Sequence, residues 1–172
     1  MPVDGVPSGM KRRALLGAVG GGVLLGGGYL GFELFAPERA TRANDDRTDG
    51  GDGDVTILKT GEFVGKDNHR CSGRVELVRD AEGPFLQFRE YEQTQGPDVF
   101  CYLTPEPDPD TSAQVAAGRK VLVDGGADGG ELTKTGTFAQ RLPDVDLDAA
   151  NGVAVWCDRF AVPFGAATLS AP

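Results

Sequence analysis

What this sequence has little of narrows its chemistry first. Its 172 residues include one histidine, His69, one tryptophan, Trp156, and three cysteines, Cys71, Cys101 and Cys157. No two cysteines are spaced as Cys-x-x-Cys, which disfavours a tetrahedral zinc site and a thioredoxin-like pair. Without Cys-x-x-Cys-His, covalent haem of the c type is excluded. His69 has no nucleophile-elbow motif beside it, and the glycines around 56–63 lack the lysine and following helix of a phosphate loop. No acid, base and nucleophile assemble into a conventional catalytic set. No segment sustains a capped helical period; residues 111–118, after Asp110, have room for a single turn. A fixed-period repeat is also missing. At this length the chain holds one domain and a tail.

Lysine is scarce and acid is abundant. The formal net charge is -9 and the pI is near 4.6. Residues 1–35 carry Lys11, Arg12 and Arg13 against Asp4 and Glu33, so the remainder holds 14 basic against 24 acidic residues. A surface that acidic repels phosphate backbones, which argues against nucleic acid as a partner. It also rules out adsorption of the globular part to anionic lipid. Such a surface suits solubility at high salt, although ordinary exported domains can be acidic too.

Residues 1–13 read as a cytoplasmic basic segment ending in Lys11-Arg12-Arg13, and residues 14–32 carry no charge. A cationic start before an apolar run is an export signal or a membrane anchor. Arg12-Arg13-Ala14-Leu15-Leu16 fits the twin-arginine pattern. Gly20-Gly21-Gly22 and Gly26-Gly27-Gly28 lower the hydrophobicity, as is typical of such signals. No small-x-small cleavage site stands out, so residues 14–35 are expected to form an uncleaved anchor helix with the rest extracytoplasmic. Cleavage, leaving a secreted domain, is the alternative. With no cysteine near the end of this run, a lipoprotein anchor is excluded. Met10, directly before Lys11, is an alternative start. Residues 36–54 have almost no apolar side chains to offset the entropy of ordering them, and read as a flexible acidic stalk. Asp45, Asp46, Asp49, Asp52 and Asp54 miss the ligand spacing of a calcium loop.

From Val55 onward, short apolar bursts alternate with Gly, Pro and Asp. Residues 55–64, 73–78, 85–91, 99–103, 120–123, 132–142 and 152–160 read as strands, and the apolar run continues past its break at Pro163 as a short return strand. Their number and spacing predict an all-β fold, an antiparallel β-sandwich of about 7–9 strands. Along the last run, alternation places Trp156 and Phe160 on one face and Val153, Val155 and Cys157 on the other. If the Trp156 face is core, Cys157 looks toward a groove or a second sheet. If not, Cys157 is an inert buried thiol.

Three cysteines in an oxidising compartment make a disulfide expected, with one thiol left over. Cys71 and Cys101 are the preferred pair, and three free, small, buried thiols are the alternative. His69 with Cys157 would suit copper or a haem iron, since imidazole and thiolate ligate both. The plainer reading of His69 is a turn residue making one hydrogen bond. Gly96-Pro97-Asp98 is a turn in which proline fixes φ and the aspartate bonds nearby backbone amides. Asp144, Asp146 and Asp148 follow Pro143 as acids of a solvated loop.

Several blocks together resemble the DM13 domain: Gly61-Glu62-Phe63, His69-x-Cys71-Ser72-Gly73, Phe85-Leu86-Gln87-Phe88, residues 96–103, Leu142-Pro143, residues 155–160 and Phe164-Gly165-Ala166-Ala167-x-Leu169. They cover about residues 56–170 in order. The resemblance implies an extracellular β-sandwich related to DOMON domains. It also implies electron transfer through one cysteine, acting alone or holding a prosthetic group. By position that cysteine is Cys157, and a Cys71–Cys101 bridge would be a local addition. The expectation is then a membrane-tethered, extracytoplasmic electron-transfer domain that meets a redox partner protein, with Trp156 packed beneath Cys157. Its rival is a non-catalytic binding or surface-interaction module in which Cys157 is simply core.

Overall fold

A computed structural model describes residues 39–47, 55–123 and 130–172, all within a compact unit spanning 37–172. The basic segment and the anchor at 14–35 lie outside the described residues, as does most of the stalk. No helix among the described residues is long and apolar enough to cross a membrane.

The described elements are β1 (Thr41–Asn44), β2 (Thr56–Gly65), β3 (Cys71–Asp80), β4 (Gly83–Gln93), β5 (Val99–Thr104), a short helix α1 (Ser112–Ala116), β6 (Arg119–Val121), β7 (Lys134–Arg141), β8 (Gly152–Cys157) and β9 (Val162–Thr168). The strands form one nine-stranded sheet in the order β1-β7-β4-β3-β2-β9-β8-β5-β6. The all-β expectation holds. The pairing is antiparallel except where β1 runs parallel to β7, so the sheet is mixed. The two halves are also not separate sheets. β2 pairs with β3 over its first part and with β9 over Phe63 to Gly65, passing from one half to the other.

Alternation builds the core. Val75 and Leu77 of β3, Leu86 and Phe88 of β4 and Phe138 of β7 share one cluster with Val99 and Cys101 of β5 and Val153 and Val155 of β8. Residues from both halves meet in this cluster because the sheet curls over on itself. Phe88 stacks on Phe138 with ring centroids 4.5 Å apart. Every residue of β8 is buried, which is why its run is continuously apolar instead of alternating. Its second face is covered by a satellite cluster of Val115 from α1, Ala154 and Trp156, with Tyr102 packed against it. Thr111 caps α1 in a reciprocal box with Gln114, a local signal that needs no long helical period.

Part of the segment expected to be a flexible stalk is ordered. β1 adds a parallel edge to β7, and the chain beyond it is held by polar groups. The buried side-chain amide of Gln87 accepts from Arg47 N–H at 3.1 Å and donates to Asp45 C=O at 3.2 Å. Arg89 pairs with both Asp46 and Glu76. Backbone pairing and buried polar groups order these residues, so a count of apolar side chains did not reveal it.

Antiparallel pairing sends chain reversals alternately to the two ends of the sheet. Residues 66–70, 94–98 and 158–161 all fall at one end, as the pairs Gly65↔Gly165, Cys71↔Gln93 and Val99↔Cys157 require. Leu132, leading into β7, joins them by donating from its N–H to Val99 C=O and accepting from Gln93 Nε2. The turn at 81–82 and the loop at 142–151 lie at the other end.

Candidate functional site around Cys157

The sequence blocks that carry the family pattern are far apart in the chain, and the topology brings their polar members to one end. His69, Gly96-Pro97-Asp98, Cys157 and the 158–161 turn all meet there. β8 stops at Cys157 instead of running on to Phe160, and residues 158–161 form a tight turn into β9.

Cys157 is fully buried, with no solvent-accessible surface, and belongs to the main core cluster. Its cover is thin, however, and polar. The Sγ–H donates to Pro97 C=O at 3.2 Å, while the backbone N–H groups of Arg159 and Phe160 point at the sulfur. Those N–H groups favour a thiolate. Desolvation by burial is the larger effect, and the Asp98 and Asp158 carboxylates add to it, so the thiol is held above its ordinary range. At neutral pH the sulfur is therefore protonated.

The two flanking turns are tied together. Arg159 Nε donates to Asp98 Oδ2 at 2.6 Å, and Asp158 N–H donates to Asp98 C=O at 2.9 Å. Asp158 in turn accepts from Lys120 Nζ at 2.6 Å and from Tyr102 OH at 2.7 and 2.9 Å. Asp98 and Ala161, on either side of the thiol, hold φ of 54° and 52°, a region that non-glycine residues enter at a cost. The Asp98 side chain thus pairs with Arg159, where the sequence suggested local backbone amides. Its own N–H is bound at 2.8 Å by the buried Glu131 carboxylate.

Trp156 does not pack beneath Cys157. Alternation along β8 places it on the opposite face, under α1, so it supports the strand from outside. His69 is engaged by its own surroundings. Its ring stacks on Phe164 at 3.7 Å, nearly parallel, and its Nδ1 lies 3.3 Å from Lys66 C=O within its own turn. Among the described residues no group of three or more His, Cys, Asp or Glu side chains is placed to hold a metal ion. Copper or haem iron between His69 and Cys157 would find no third His, Cys, Asp or Glu ligand among the described residues.

All three cysteines are free and buried, which corrects the expected Cys71–Cys101 bridge. Cys71 lies against Gly165 of β9, where an added Cβ would fall 2.4 Å from Cys71 Cβ and 2.6 Å from its sulfur. Its Sγ–H reaches Tyr91 OH at 3.9 Å, and burial pushes the thiol up to about 12. Burial raises Cys101 further. Only Cys157 has backbone donors aimed at its sulfur.

A family model described as Electron transfer DM13 matches residues 62–169. The chain belongs to the DM13 family. No curated protein and no solved structure matches it. The DM13 match begins on β2 and ends just after β9, so it spans every turn of the thiol end. What sequence reasoning missed in this DM13 domain is the ring of residues around the sulfur: Pro97 as acceptor, Arg159 and Asp98 as a pair, and Lys120 and Tyr102 on Asp158. The opposite charges of Asp98 and Arg159 were visible, but not their proximity, since 61 positions separate them.

Proposed function

We propose that this DM13 domain exchanges electrons with a partner protein through the Cys157 sulfur acting as a thiol. The observation that carries the reading is that Cys157, alone of the three cysteines, sits under a thin turn with two backbone N–H groups directed at its sulfur. Such donors stabilise negative charge on sulfur and tune its potential. Because the resting sulfur is protonated, one-electron oxidation releases one proton. Its potential is then expected to fall by about 59 mV per pH unit while the thiol stays protonated. Mediated redox titration of the full chain and of Cys157→Ser tests this. The wild type is expected to show a pH-dependent couple that the folded variant lacks.

The same proposal places the domain outside the cytoplasm, tethered by residues 14–35. Support comes from the Lys11-Arg12-Arg13 start and the uncharged run behind it. Protease digestion of intact cells, followed by membrane fractionation, checks both points.

A second reading has its own support. The complete burial of Cys157 and its raised pKa suit a structural thiol in a non-catalytic binding module. Buried structural thiols are inert. A Cys157 that labels only as fast as the whole fold unfolds would favour this reading.

A further inference from the structure

A redox sulfur that is sealed from solvent needs a way to be reached. We propose that the Arg159–Asp98 ion pair is a latch holding the β8–β9 turn closed over Cys157, and that a redox partner gains the sulfur by displacing this turn. The inference rests on the reading of Cys157 as the redox group.

Four observations converge on the turn. First, the residues whose N–H groups touch the sulfur, Arg159 and Phe160, are themselves the cover. Second, the side-chain ties that fasten the turn lie at its outer rim. Arg159 and Asp98 are about a third exposed, at 31% and 29%, and Lys120 and Asp158 are each 34% exposed. Ion pairs this exposed are individually weak and are screened by salt. A charged partner surface can therefore compete for them, whereas the strand pairing beneath stays intact. Third, Ala161 at φ 52° and Asp98 at φ 54° are held in the left-handed region by these surroundings. Loss of the ties lets both relax. Fourth, Phe160 is 50% exposed at the tip of the turn. It offers an aromatic contact to a partner directly over the buried thiol.

The latch and simple electrostatics predict opposite effects for one substitution. The charged groups facing Cys157 are Asp98, Asp158 and Arg159, with Lys120 on Asp158 and Glu131 on the Asp98 amide. Removing the Arg159 charge leaves Asp98 and Asp158 less balanced and disfavours the thiolate, which by itself slows alkylation. Removing a latch speeds it.

The test is pulsed alkylation of the full chain with peptide-resolved mass readout. The ratio of labelling at Cys157 to labelling at Cys101 is the measured quantity, because Cys101 reports opening of the whole core. Arg159→Gln is expected to raise that ratio about two- to fivefold. Arg159→Lys, which keeps the charge, is expected to restore most of the wild-type value, and 1 M KCl is expected to raise the wild-type ratio. A ratio unchanged or lowered in Arg159→Gln would overturn the latch. A destabilised variant speeds both sites and leaves the ratio flat, which also counts against it. If Cys157→Ser loses its redox response while the ratio does not move, the latch alone fails. If the ratio moves but the redox response survives in Cys157→Ser, the electron-transfer reading fails and with it the partner's use of the turn, while the ion pair still closes the turn over the sulfur.

Discussion

The two ends of the curled sheet are built on different principles. At the thiol end, charges come in close pairs, Arg159 with Asp98 and Lys120 with Asp158, and the backbone enters left-handed φ at Asp67, Asn68, Asp98 and Ala161. At the other end Arg141 pairs with Asp80 and Glu82 beside the 81–82 turn, but in the 142–151 loop Asp144, Asp146 and Asp148 line open hollows of about 280 and 440 Å³, lying between Leu103 and Ala150 and beside Arg79. Asp146 serves its own loop by accepting from the N–H groups of Asp148 and Ala149. The acids that colour the composition are thus a solvated rim there. The end that concentrates the family pattern keeps its charge balanced and its thiol covered. A cluster of acids in a sequence is a poor guide to where the chemistry of such a fold lies.

Substitutions at the two ends should break or sharpen that contrast. The largest effect is expected from Gly165→Ala at the thiol end. The new Cβ would overlap Cys71 at 2.4 Å, and both atoms are fixed by strand backbone. Overpacking of this kind costs roughly 1–3 kcal/mol, to be read from urea denaturation. A gain in stability would mean that Cys71 has room to move.

Next comes Lys59→Met at the acidic end. Lys59 Nζ donates to Ala150 C=O at 2.5 Å, to Asp148 C=O at 3.2 Å and to Asn151 Oδ1 at 3.3 Å, pinning the loop. Its loss is expected to cost about 1 kcal/mol. Hydrogen exchange should accelerate at 144–151 while Cys157 alkylation stays unchanged. A matching change at Cys157 would show that the two ends are coupled.

Asp80 gives a pH-dependent effect of similar or smaller size. Its bidentate hydrogen bonds to Arg141 hold its carboxyl at about 2 against an ordinary 3.8. The unfolded chain therefore takes up the proton first as pH falls. The stabilisation is fully present above about pH 4 and is lost toward pH 2. Asp80→Asn should flatten the melting temperature over that window and leave it little changed in shape above pH 5.

The smallest effect is expected for Asp144→Asn, Asp146→Asn and Asp148→Asn combined. Stability is expected to change by no more than about 0.5 kcal/mol in all, with the redox response of the thiol end untouched.

Strand runs of β-branched and aromatic residues between Gly, Pro and Asp made the all-β fold legible: of the nine described strands, β2 to β8 overlap the runs read from them and β9 is the return strand after them. β1 was invisible because its order comes from backbone pairing to β7 and from Gln87 and Arg89. The alternation Val153, Val155, Cys157 against Trp156 was readable. Which face was the main core was not, since α1 covers the second face and both look apolar. The Cys71–Cys101 bridge was inferred from cysteine count and compartment. Neither carries information about the slot that Gly165 and Tyr91 provide for Cys71. The ring around Cys157 was hidden because its members meet only through the antiparallel register of β5, β8 and β9.

The most direct test is differential alkylation of the full chain poised at reducing and then at oxidising potential, with light and heavy reagents assigned cysteine by cysteine. A change of redox state confined to Cys157, with Cys71 and Cys101 unaltered, is the predicted result. Oxidation confined to Cys71 and Cys101, or no change at any of the three, would contradict it.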